Sequence, residues 1–353
     1  MTLQKLLLKS ITYTFIMSYI CILFSPQMAF VKTNANSTHF VEGKAECVME
    51  VNSRRILYQS HGDLRLPMAS TTKILTAATV LNECNNIHEE IAIPKAAEGI
   101  EGSSVYLKAG EIYTIEDLLY GLMLRSGNDC ATALALRFAD SVGNFSAKMN
   151  QTAQKAGALN SNFKNPHGLP CKGHYTTATD LSYITCYAMQ HPFFREIVAT
   201  KYYKPRNWKN KNRMLTDYDG GIGVKTGYTL EAGRCLVSAA ERNGMTLICT
   251  LLSCPTTYER ATVLLDDAFN AYEYTQLLHE NTVFTLESDK GQVACCAKTS
   301  FYYPLLKEEI NLVEMKPKLY DENAARKKSD EIVGQIEIYL TKRLLFSGNL
   351  YKL

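Results

Sequence analysis

The stretch Met68-Ala69-Ser70-Thr71-Thr72-Lys73-Ile74-Leu75-Thr76-Ala77-Ala78 places a serine three residues ahead of a lysine, at the opening of a small, apolar run. Residues three apart on a helix share a face, so a helix begun at Ser70 carries the Lys73 amine one turn beyond the hydroxyl and within reach of it. Such a pair can act as nucleophile and base. A serine hydroxyl is inert at neutral pH unless a neighbour takes its proton, and a lysine does so only if burial, here among Ile74 and Leu75, lowers its pKa. A serine at a helix start also holds its own N–H among the unpaired donors of the first turn, where a developing oxyanion is favoured. Four residues alone fit equally well with a Ser N-cap followed by a solvated lysine.

Two further elements follow in the order the chemistry needs, Ser126-Gly127-Asn128 and Lys225-Thr226-Gly227. Ser-x-x-Lys, Ser-x-Asn and Lys-Thr-Gly together mark the penicillin-binding proteins and class A β-lactamases. From about Cys47 to Tyr274 the chain resembles the low-molecular-weight penicillin-binding proteins, the serine-type D-alanyl-D-alanine carboxypeptidases. The resemblance implies an α/β (α+β) fold, with a β-lactamase/transpeptidase-like catalytic domain of antiparallel sheet and flanking helices, followed by a small β-rich domain. It implies Ser70 as nucleophile, Lys73 as base and Ser126 as a proton relay. Asn128, Lys225, Thr226, Gly227 and Tyr228 would bind the peptide, with the N–H groups of Ser70 and Tyr228 as oxyanion donors. By family position Arg260, in Pro255-Thr256-Thr257-Tyr258-Glu259-Arg260, would read the free carboxylate of the substrate. The implied substrate is the peptidoglycan pentapeptide, with β-lactams as mimics that inhibit. The implied chemistry uses no cofactor and no metal.

Two other readings keep the same motifs. A class A β-lactamase needs a Glu-x-x-x-Asn carboxylate between the second and third motifs, and none stands between Asn128 and Lys225. A non-catalytic penicilloyl or peptidoglycan receptor would keep Ser70 and Lys73 but deacylate slowly.

The chain has 353 residues, 46% hydrophobic and 21% charged, long enough for two folded domains, and its formal charge of +3 gives no reason to invoke nucleic acid. Residues 1–35 follow the plan of an export signal: Lys5 and Lys9, an apolar run from Ile11 to Phe24, then a polar stretch ending at Thr33-Asn34-Ala35. The protein is therefore expected outside the cytoplasm, secreted or associated with wall or membrane. Uncut, the run is short against the roughly 20 residues of a spanning helix, leaving peripheral or N-terminal membrane association as the alternative. No C-terminal amphipathic anchor is expected after the last strand-like run. Of the 11 cysteines, none stands in a Cys-x-x-Cys or Cys/His pattern of zinc spacing, and Cys130, Cys186, Cys235 and Cys249 read as small core residues.

The expected catalytic domain spans 36–276. It opens on a hairpin about Asn52-Ser53-Arg54, and Arg234 to Ser253 is a second hairpin about Asn243-Gly244. Helical spacing recurs from Tyr258 to Tyr274. His167 and His174 read as local hydrogen-bonding residues of turns. From 280 to 353 the pattern becomes short alternating runs, Thr282–Leu286, Gly291–Lys298, Ile310–Met315, Glu331–Leu340 and Arg343–Leu350, which reads as a small β-domain.

Overall fold

The computed structural model describes residues 41–320, 324 and 326–353, so the expected export signal at 1–35 lies outside the described residues. Strands β1 (Ala45–Glu50) and β2 (Ile56–Ser60) form the first hairpin. Its turn is built by the Glu50 carboxylate, which accepts from the Asn52 and Ser53 N–H groups and the Ser53 hydroxyl. Strands β3 (Gly221–Thr229), β4 (Gly233–Arg242) and β5 (Met245–Leu252) complete an antiparallel sheet of order β2-β1-β5-β4-β3. Asn243 and Gly244, both at positive φ (50° and 77°), turn β4 into β5 as expected of Asn-Gly.

The sheet is covered on both faces. One face carries α1 (Lys73–Glu83), α2 (Asn128–Phe138), α3 (Val142–Ala156) and α4 (Ala178–Met189), over a core that includes Ile74, Leu75, Cys130 and Cys186. The other carries α5 (Thr257–Ala271), over Leu236, Cys249, Leu264 and Leu265. Helix α1 packs against α2, α3 and α4, and Lys73 through Leu81 are all buried. Ala77 and Ala78 keep its surface low enough for three neighbours to close on it.

Helix α5 ends at Ala271, short of the expected Tyr274, and Tyr272 opens a strand instead. Beyond it run β6 (Tyr272–Leu278), β7 (Val283–Ser288), β8 (Gly291–Ala297), β9 (Phe301–Leu306), β10 (Val313–Leu319), β11 (Ile332–Leu340) and β12 (Arg343–Lys352). β6 pairs with β9, and the other five form a sheet of order β7-β8-β12-β11-β10. Leu278 and Leu305 from the pair pack with Val293, Ile336, Ile338 and Leu350 from the sheet, a core separate from the two above. The Arg55 guanidinium ties the first hairpin to this β-rich part, donating to Glu309 at 2.6 Å and to the Pro304 carbonyl at 2.7 Å.

Candidate active site

Ser70 does not begin an α-helix. It lies in a 3-10 turn, Ala69–Thr72, that leads into α1, and Ala69 before it takes a left-handed φ of 50°. The Thr71 and Thr72 hydroxyls fasten the turn by donating to the Met68 and Ala69 carbonyls at 2.7 and 2.8 Å. Two glycines clamp it from outside. Gly168 has φ +90°, and a Cβ there would stand 1.9 Å from the Ala69 oxygen. A Cβ on Gly227 would stand 3.1 Å from the nitrogens of Ser70 and Thr71, so strand β3 passes directly over the serine turn.

The expected serine–lysine contact is present. Lys73 Nζ lies 2.9 Å from Ser70 Oγ, 2.7 Å from Asn128 Oδ1 and 2.6 Å from the His167 carbonyl, with the lysine wholly buried. Burial first, and then the like charge of Lys225, hold its pKa well below the ordinary lysine range. Two of its three neighbours can only accept hydrogen bonds. A neutral amine meets this set completely, giving its two N–H groups to the carbonyl oxygens and its lone pair to the Ser70 hydroxyl. The turn at 165–169 thus supplies a base-positioning group, the main-chain oxygen of His167, which no side chain announces in the sequence.

Asn128 opens α2 at the cleft. Its amide nitrogen donates to the Glu101 carbonyl at 2.6 Å while its oxygen holds Lys73, so it positions the base. Ser126 precedes it at φ 66°, after the chain loosens into a π-helical turn at Gly121–Arg125. That left-handed residue ends the turn, and its hydroxyl lines the cleft beside Ser70. Lys225 on β3 is 2% exposed and donates to the Thr226 carbonyl at 2.9 Å. Burial and, after it, the charge of Lys211 bring its pKa down to about 7. Thr226, Gly227 and Tyr228 line the same cleft, of about 540 Å³. Among the residues lining it there is no Asp or Glu.

The two histidines are structural. His174 accepts from the Lys164 N–H at Nδ1 and meets the Thr72 hydroxyl at Nε2, 3.1 Å, and burial lowers its pKa to about 4. Burial and the Lys73 charge bring His167 likewise to about 4. Among the described residues no cluster of His, Cys, Asp and Glu could hold a metal ion, and the described cysteines are free thiols.

Arg260, expected to read the substrate carboxylate, has other partners in this structure. Its guanidinium clasps Glu46 of β1, Nε at 3.0 Å and Nη2 at 2.6 Å, with Tyr58 completing the set at 2.9 Å. Glu46 is fully buried on the α5 side of the sheet, and an unpaired carboxylate there would draw the nearest cation to itself. The cations that do line the cleft are Lys211 and Arg234, neither of which the motifs single out.

The chain is similar to known proteins. The D-alanyl-D-alanine carboxypeptidase family model matches residues 32–256. The D-alanyl-D-alanine carboxypeptidase DacF of Bacillus subtilis is 31% identical over 302 residues, 81% of this chain and 77% of that protein. A D-alanyl-D-alanine carboxypeptidase of a Streptomyces species is 38% identical over 239 residues, 60% of this chain and 82% of the relative. In three dimensions the chain is similar to penicillin binding protein 5 from Haemophilus influenzae, with TM-score 0.74 and 26% identity over 90% of this chain and 98% of that one. With the three motifs gathered around one cleft and a family match over most of the sheet and its helices, the chain belongs to the D-alanyl-D-alanine carboxypeptidase family.

Proposed function

We propose that the protein removes the terminal D-alanine from peptidoglycan stem peptides through an acyl-enzyme on Ser70. The observation that carries this reading is the contact of the buried Lys73 amine with Ser70 Oγ at 2.9 Å, its other two neighbours being carbonyl oxygens. Lys73 takes the hydroxyl proton as Ser70 Oγ attacks the carbonyl between the last two residues of the substrate. The oxyanion forms beside the N–H groups of Ser70 and Tyr228, where the close passage of Gly227 leaves no side chain in the way. The C–N bond breaks as Ser126 relays the proton that Lys73 took to the departing D-alanine amine, which leaves Lys73 neutral again and an ester on Ser70. Water then attacks that ester, giving its proton to Lys73, which passes it to Ser70 Oγ as the ester C–O bond breaks.

Lys225 supplies positive charge at the carboxylate end, with the Thr226 hydroxyl as a donor. β-Lactams would acylate the same serine because their strained amide imitates the peptide bond. The lining without Asp or Glu does not favour a class A β-lactamase, whose deacylation uses a glutamate. Incubation with diacetyl-L-Lys-D-Ala-D-Ala should release one equivalent of free D-alanine per peptide with turnover. A protein that takes up penicillin but releases no D-alanine would make it a receptor instead.

The basic and apolar pattern of residues 1–35 supports export as part of the same proposal, with action on the cell wall outside the membrane. Among the described residues no helix is long and apolar enough to cross a membrane. Intact-mass measurement of the exported product should show loss of that segment, and a full-length mass in the membrane fraction would make it an anchor.

A further inference from the structure

Asn128 can hold Lys73 only if its own amide is held, and the next residue along reaches the segment that does so. Asp129 lies in the first turn of α2 and is wholly buried. Its carboxylate accepts from four neutral donors: the Ser104 hydroxyl at 2.5 Å, the Val105 and Leu107 N–H groups at 3.0 and 3.1 Å, and the adjacent Cys130 N–H at 2.9 Å. The Ser104 hydroxyl in turn accepts from the Tyr106 N–H at 2.8 Å. Residues 104–107 form neither helix nor strand, so their N–H groups have no ladder to join and the carboxylate serves in its place. A buried carboxylate without a cation is costly unless its lone pairs are met, and here they are met mostly by this one segment.

The residues just before it grip Asn128. The Ser103 carbonyl accepts from the Asn128 main-chain N–H at 2.7 Å, and the Glu101 carbonyl accepts from the side-chain nitrogen at 2.6 Å. Gly102 between them has φ +90°, and a Cβ there would stand 2.8 Å from Asn128 Nδ2, so the main chain lies directly against the amide. A carbonyl oxygen can only accept, so Glu101 fixes which end of the amide faces it and leaves Oδ1 for Lys73 at 2.7 Å. Ser103 lines the catalytic cleft, whereas Asp129 does not. Contacts therefore run without a break from the Asp129 carboxylate through 101–107 to Asn128 and on to the base.

We propose that Asp129 is a positioning residue of the acyl-transfer reaction, its carboxylate pinning 104–107 to the opening of α2 so that Glu101 and Ser103 fix the Asn128 amide with its oxygen on the Lys73 amine. Asp129 acts through Asn128 and touches neither the substrate nor Ser70. The proposal rests on the Ser70 acyl-enzyme reading above.

The test is a double-mutant cycle read by the acylation rate with a fluorescent penicillin, each variant at its own pH optimum so that a shifted Lys73 titration does not enter. The proteins are wild type, Asp129→Asn, Ser104→Ala, Asn128→Ala and the two combinations with Asn128→Ala, with thermal unfolding to verify each fold. Asp129→Asn keeps the shape but turns an NH2 group toward N–H donors. It should lower acylation by about 10²-fold, the usual cost of a misplacement of roughly 1 Å, and D-alanine release should fall with it. Ser104→Ala, which removes one anchor of the four, should lower acylation less. In the Asn128→Ala background neither change should cost much more, because the residue through which both act is gone. A folded Asp129→Asn protein with the wild-type rate overturns the proposal. So does an equal loss in the Asn128→Ala background, which would make the effect independent of Asn128. If Asp129→Asn does not fold, Ser104→Ala decides by the same two criteria. A wild-type protein that takes up no penicillin would overturn the acyl-enzyme reading itself, and this one with it.

Discussion

Replacing Arg260 by leucine separates a structural ion pair from a substrate contact. In the native protein Glu46 has no exposed surface and receives three contacts from Arg260, at 3.0, 3.1 and 2.6 Å. Its remaining partners, the Gly43 N–H at 2.8 Å and the Tyr58 hydroxyl at 3.1 Å, carry no charge. Leucine leaves that carboxylate buried with two neutral donors, and breaking a buried pair from one side costs about 3–5 kcal/mol. The same neighbourhood holds Tyr58 up to about 12, by burial and by the Glu46 charge, so its hydroxyl stays a neutral donor and does not replace the charge of the arginine. Urea unfolding of Arg260→Leu should therefore show a loss of about 3–5 kcal/mol with an unchanged slope. Arg260→Leu with Glu46→Leu should recover much of the loss, because an apolar pair of similar volume often replaces a buried ion pair without penalty. The preference for free acid over amide should persist in both folded variants. A stable Arg260→Leu protein that has lost the acid preference would refute this account and return Arg260 to the cleft.

Lys73→Ala should lower the rate of acylation by about 10²–10⁴-fold, the usual worth of a positioned base, as followed by stopped-flow with a fluorescent penicillin. The two lysines set opposite limbs of the pH profile of kcat/KM. Lys73 must be neutral to accept the Ser70 proton, so activity rises with pH as its depressed ammonium deprotonates; Lys225 must stay charged, so activity falls as pH passes about 7. Lys225→Gln should lower turnover and erase that alkaline limb. Gly168→Ala, whose Cβ would stand 1.9 Å from the Ala69 oxygen, should displace the Ser70 turn and reduce both thermal stability and acylation, whereas Gly99→Ala, with open space around it, should leave acylation near normal despite its φ of +74°.

What the sequence made legible was the chemistry that one side chain must do beside another. Ser70 and Lys73 are tied by helical spacing, and their role forces them together wherever the helix begins; the 3-10 turn at Ala69–Thr72 alters the local winding and keeps the contact. Asn243-Gly244 and the alternating runs of β4 and β5 likewise carry their geometry in local residue types. The pairing of Arg260 with Glu46 was not legible, because a helix-start arginine has the same local signature whether it faces a cleft or a buried acid. Only the facing of Glu46 on β1, more than two hundred residues away, decides between them. Arg234 had no motif to mark it, although its place six residues beyond Tyr228 across a short hairpin could have set the two opposite each other.

In the β-rich part, Tyr272 follows Ala268 at helical spacing and so hid the start of β6. Pro304 broke the pattern of β9, which tolerates it because that strand pairs only with β6. The His167 carbonyl on Lys73 was invisible in principle, since any residue carries a main-chain oxygen. Gly168 beside it was the available signal, a position with room for no side chain.

The proposed reaction passes through an acyl-enzyme on Ser70. Rapid quenching of the protein with excess diacetyl-L-Lys-D-Ala-D-Ala, followed by peptide mapping of the covalent adduct by mass spectrometry, measures it directly. The acyl group should appear on Ser70 and nowhere else, and Ser70→Ala should show neither adduct nor D-alanine release. An adduct on another residue, or D-alanine release that survives in the folded Ser70→Ala protein, would contradict the account.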